Sequence, residues 1–195
     1  MKRRMAAAAA VLVAGGLLGS GGPEAGERED RNSPELPGFR LPLTVHLGGS
    51  GRPREEFPGV FAEINRIWQT QAGICFEVKA VEDDGPLPGG IDLWFLPDIG
   101  KHNGYYSGPQ AMRVRDHPDL GPAEDPSVSP AGRTAAHEIG HALGLVHRQD
   151  SDENLMRSKT LGWKLDAEEI RAARIAAAPF ALRGGTPSGC GEPDP

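Results

Sequence analysis

Cysteine is scarce in this chain, with two among 195 residues, enough for one disulfide and too few for a disulfide scaffold. Positive charge is also in deficit. Lys and Arg number 21 against 27 Asp and Glu, a formal net charge of −6, and such a balance disfavours the dense phosphates of nucleic acid. Long apolar runs are missing too. The Ala/Val/Leu/Gly run from Met5 to Leu18 falls short of the roughly 17 to 25 residues that a membrane-spanning helix requires. No cysteine directly follows that run, so a lipid-modified anchor is excluded there.

Met1-Lys2-Arg3-Arg4 ahead of the apolar run supplies the charged and apolar regions of a secretory signal. Residues 1–22 are read as that signal, with cleavage among Gly19 to Gly22 or near Ala25, and the mature chain is expected to be secreted or periplasmic. Removal of residues 1–22 takes away three basic residues and no acidic one, moving the charge from −6 to −9. Residues 23–39, rich in Glu, Arg, Pro and Gly, read as a flexible leader. Residues 40–182 then hold one domain of ordinary size, a monomer, followed by a Gly/Pro-rich tail over residues 183–195.

Within the domain, Leu41 to Leu47 alternates at the strand period, with His46 on the solvent side. Phe57, Val60, Phe61, Ile64, Ile67 and Trp68 recur at three and four residues, the spacing of an amphipathic helix, which Gly73 stops. Ile74 to Val78 and Ile91 to Leu96 are further strands. Ser129-Pro130 places a capping serine before a proline at the first helical position, so a helix is predicted from about Pro130 to Leu143. Asp166-Ala167-Glu168-Glu169 opens a last helix that ends before Pro179. The fold class is α+β.

The most informative stretch is His137-Glu138-Ile139-Gly140-His141-Ala142-Leu143-Gly144-Leu145-Val146-His147. Four residues apart on a helix, His137 and His141 project from one face and can grip a single ion. His147 lies beyond the reach of a continued helix, so the chain must turn first, and Gly144 supplies the turn because it adopts positive φ at little cost. Three imidazoles suit Zn2+ and leave a fourth coordination position open. Glu138, beside that position, is the candidate general base for hydrolysis without a covalent intermediate. Together the residues match the signature H-E-x-x-H-x-x-G-x-x-H of zinc endopeptidases.

On these residues the chain resembles the metzincin clan. Asn154-Leu155-Met156 is similar to the clan's methionine turn, and Met156 falls nine residues after His147, as in matrixin-type members. Arg157-Ser158 follows, so the tyrosine that astacin-like and serralysin-like members place after the methionine is absent. The resemblance covers residues 40–182 in outline, with its specific motifs between residues 137 and 156. It implies a twisted mixed sheet with the metal helix packed on it, then a small C-terminal subdomain carrying the methionine turn and a last helix. It also implies a polypeptide substrate, an antiparallel edge strand above the cleft within residues 103–115, and a specificity pocket bordered by Ser158 to Trp163.

A zinc-containing binding or inhibitor module without turnover is the alternative, although a purely structural zinc needs no base and normally has four protein ligands. His102, Asp116 and His117 are candidates for a second, structural metal site, but their spacing fits no metal pattern, and exposed loop histidines are the stronger expectation. Cys75 and Cys190 most simply form a disulfide. Cys190-Gly191-Glu192-Pro193-Asp194 also resembles the matrixin cysteine switch, in which a thiolate fills the open zinc position. Here the motif is C-terminal, and Gly189 stands where those enzymes have arginine.

Overall fold

Eight residues of alternating hydrophobicity, Phe39–His46, form β1 at the inside of a five-stranded sheet. The computed structural model describes residues 38–82, 85–86, 90–120, 128–159 and 161–184, of which 182–184 are described by backbone only. The predicted signal, most of the leader, most of the tail and Cys190 lie outside the described residues. All described residues belong to the unit spanning Leu36–Pro195. Among them no helix is long and apolar enough to cross a membrane.

The sheet runs β2-β1-β3-β5-β4. Strands β2 (Ile74–Val81) and β3 (Ile91–Leu96) flank β1 in parallel, and β5 (Met112–Arg115) lies parallel to β3. Only β4 (Gly104–Tyr106), at one edge, is antiparallel. The single edge strand expected within residues 103–115 is thus a hairpin, with β4 at the edge and β5 inside the sheet.

Among the described residues three α-helices accompany the sheet: α1 (Phe57–Ala72), α2 (Pro130–Ala142) and α3 (Ala167–Gly184). The apolar stripe of α1 buries Val60, Ile64, Ile67 and Trp68 with Leu43, Val45, Leu93 and Phe95 of the sheet and Ala131, Ala135 and Ile139 of α2. Gly73, at φ 62°, ends α1 in a left-handed cap. Small residues on α2 let the two helices approach closely. A Cβ on Gly132 would lie 2.9 Å from the carbonyl oxygen of Val60.

Two expectations need correction. His46 is 1 % exposed rather than solvated. Parallel sheets are covered on both faces, and register sets His46 beside Trp94, whose ring stacks on it at 4.1 Å. Its Nε2 lies 3.0 Å from Oδ1 of the buried Asp92. Second, α3 continues through Pro179 to Gly184 instead of stopping before the proline. Pro179 is exposed, as is Ile175 one turn earlier, at 71 %, so water can serve the backbone carbonyl that proline leaves without an amide donor.

Candidate metal centre

The metal helix begins as its sequence requires. Ser129 caps α2, its Oγ accepting from the Gly132 amide at 3.1 Å, and Pro130 occupies the first turn. The end is equally defined. Gly144 has φ +82°, its amide donates to the His141 carbonyl at 3.0 Å, and the Leu145 amide donates to the Gly140 carbonyl at 2.9 Å. This pair of bonds is a Schellman motif, and it reverses the chain so that His147 returns over the helix.

The three imidazoles meet there. Nε2 of His147 lies 3.1 Å from Nε2 of His137 and 3.2 Å from Nε2 of His141, and the three residues form one group able to hold a metal ion. Two tautomers are set by the backbone: Nδ1 of His137 donates to the Leu155 carbonyl at 2.7 Å, and Nδ1 of His141 donates to the Leu145 carbonyl at 2.8 Å. With Nδ1 carrying the proton, His137 and His141 each turn an Nε2 lone pair toward Nε2 of His147, an arrangement that one shared cation would satisfy. Tetrahedral zinc with Zn–N of about 2.0 to 2.1 Å sets its nitrogens roughly 3.3 Å apart, so the donor set fits that ion. Burial, the largest cause, lowers the pKa of His137 to about 4 and also lowers that of His141. Both imidazoles are therefore neutral at pH 7.

The floor is apolar. Met156 is fully buried, and a Cβ on Gly140 would lie 2.5 Å from its sulfur, so the methionine packs directly beneath the helix face that carries His137 and His141. Asn154 shapes the turn, its Oδ1 accepting from the Met156 amide at 2.7 Å while its Nδ2 donates to Glu169 of α3 at 2.8 Å. Glu169 in turn accepts from the Asp166 amide, and Asp166 from the Glu169 amide, a capping box that ties α3 to the methionine turn.

Glu138 is 6 % exposed and lines a cleft of about 460 Å3 together with His137 and His147. Desolvation raises its pKa to about 8; a neighbouring divalent cation would favour the carboxylate again. Gly104 of β4 was not singled out in the sequence, yet a Cβ there would lie 2.8 Å from Glu138 Cδ. Only the absent side chain lets the edge strand and the carboxylate share the space. No sequence motif marks Gly104, because its partner lies 34 positions away.

The segment after Met156 borders the cleft through Arg157, Ser158, Lys159 and Gly162; Thr160 lies outside the described residues. Lys159 adopts φ +66°, the one non-glycine residue with positive φ among the described residues, at a cost of roughly 1 to 2 kcal/mol that glycine would avoid. Arg133, on α2, donates through Nε to the buried Glu63 at 2.8 Å and through Nη1 to the Leu161 carbonyl, fastening this wall to both helices.

His102, Asp116 and His117 do not come together as ligands. Asp116 is 1 % exposed. It accepts from Ser50 Oγ at 2.8 Å and the Gly51 amide at 2.6 Å, so its oxygens fasten the loop after β1. His117 Nδ1 lies 3.3 Å from Arg52 Nη2. Cys75 is disulfide-bonded, while the cysteine-switch reading falls on Cys190, outside the described residues.

No protein-family model matches the sequence, and no curated protein matches it. Among solved structures the chain is similar to archaemetzincin from Methanopyrus kandleri, with 14 % identity and a TM-score of 0.51, covering 75 % of this chain and 99 % of that one. The fold is therefore α+β of the archaemetzincin kind: a five-stranded, twisted mixed sheet with helices.

Proposed function

We propose that this chain is a zinc-dependent metalloendopeptidase of the metzincin clan, exported from the cell. The observation that carries the reading is the convergence of three imidazole Nε2 atoms beside a buried glutamate and an antiparallel sheet edge. His137, His141 and His147 would hold the ion. Bound zinc would supply Lewis acidity toward a peptide carbonyl and toward water.

The rest is performed by the chain. The edge of β4 binds extended polypeptide by backbone hydrogen bonds, as in strand addition generally. Glu138 takes the proton from the attacking water and returns it to the leaving amine. The backbone bonds from His137 and His141 keep their Nε2 atoms aimed at one point, and buried Met156 blocks water from beneath. Matrixin-type affinity is supported by the interval from His147 to Met156 and by Arg157-Ser158, which lacks the tyrosine that other branches place after the methionine. Export rests on residues 1–22.

The test is hydrolysis of a mixed quenched-peptide library by the full chain before metal removal, after it, and after zinc is returned. Activity that disappears with the metal and comes back with zinc is expected. Activity indifferent to chelation would refute the proposal, and zinc binding without hydrolysis would favour a binding module.

A further inference from the structure

The chain is acidic as a whole, with 27 Asp and Glu against 21 Lys and Arg, yet its cleft is the reverse. Lys101, Arg115, Arg133, Arg157 and Lys159 line it, against the carboxylates of Asp119 and Glu138. These cations do not form a sequence run. They arrive from the approach to β4, the end of β5, the first turn of α2 and the segment after Met156, so the fold assembles them around one space.

Their neutralisation is incomplete. Arg133 shares Glu63 with Arg66, leaving two guanidinium groups on one carboxylate. Arg115 reaches Asp98 only at 3.6 Å, and its buried Nε has no hydrogen-bond acceptor among the described residues. Arg157 pairs with Asp152, which is 83 % exposed, where water screens the pair. Lys101 and Lys159 are exposed and have no ion pair or hydrogen bond among the described residues. Lys159 joins the cleft lining from a left-handed backbone position that glycine would fill without strain.

We infer that the cleft selects acidic polypeptide, taking substrates with Asp or Glu close to the scissile bond, and that Lys101 and Lys159 are its specificity-determining residues. A concave site lined by one sign of charge concentrates ligands of the other sign, and a metal cation in the same cleft adds to that field. The inference rests on the peptidase reading for its reaction but on the cleft alone for its charge preference.

The experiment uses the full, zinc-loaded chain and three quenched peptides that differ only in carrying Glu, Gln or Lys beside the scissile bond. Two exposed ion pairs predict a Glu-to-Gln ratio of kcat/KM of roughly three- to tenfold at low salt, falling as salt is added. In the double variant K101Q/K159Q the ratio falls toward one. A wild-type ratio of one or less, with all three peptides cleaved, overturns the inference and leaves the peptidase reading standing.

Binding of the same peptides to the zinc-loaded Glu138→Ala chain, followed by fluorescence anisotropy, separates the two readings. Selective binding of the Glu peptide with no cleavage by wild type sinks the peptidase reading and sustains the charge selectivity. Tighter binding of a single-stranded DNA oligomer than of the Glu peptide overturns the assignment to polypeptide.

Discussion

At the residue scale, the centre depends on two kinds of position: those that carry chemistry and those that must carry nothing. His137, Glu138, His141 and His147 were legible because helical spacing and a glycine turn leave a fixed trace in sequence. Gly104 was not, since its only mark is the space it leaves for Glu138 across a tertiary contact. A Gly104→Ala variant should therefore push the carboxylate aside while leaving the three histidines in place. A displacement of about 1 Å in catalytic geometry costs on the order of 100-fold in rate. We expect kcat to fall by about that factor with one zinc still bound, read from steady-state kinetics and metal content on the same sample. Unchanged kcat would mean that Glu138 has room to spare.

At the scale of elements, the cap signals were readable because they are local. Ser129-Pro130 predicted the start of α2 and Gly144 its end, and both bounds agree with the structure to within one residue. Where tertiary packing decides, the sequence was less informative. Alternation in β1 suggested a wet face for His46, but flanking by two parallel strands leaves it buried against Trp94. Proline at 179 suggested a helix end, and exposure of that side of α3 allowed the helix to pass through it. The Schellman motif at Gly144 is the element on which His147 depends. Gly144→Ala should cost roughly 1 to 2 kcal/mol, because alanine is unfavourable at φ +82°. It should also weaken zinc binding by roughly tenfold or more, measured by competition with a chelator. Loss of stability with undiminished zinc affinity would show that His147 is positioned by something other than this turn.

At the scale of the whole molecule, sheet order could not be read from the chain, since a parallel crossover joins strands through long stretches whose pairing leaves no local pattern. Nor could the cationic cleft, which draws on residues from Lys101 to Lys159 that look like scattered surface charge in sequence. What the fold achieves is to bring a helix, a glycine turn, a methionine turn and a sheet edge around one point. The central claim is that this point hydrolyses peptide bonds with Glu138 as the base. It is tested most directly by zinc content and peptide hydrolysis measured together on wild type and Glu138→Ala. One zinc per chain is expected in both, with hydrolysis reduced at least about 100-fold in the variant, in the range typical of removing a general acid–base. Equal rates in the two proteins, with zinc bound in both, would contradict it.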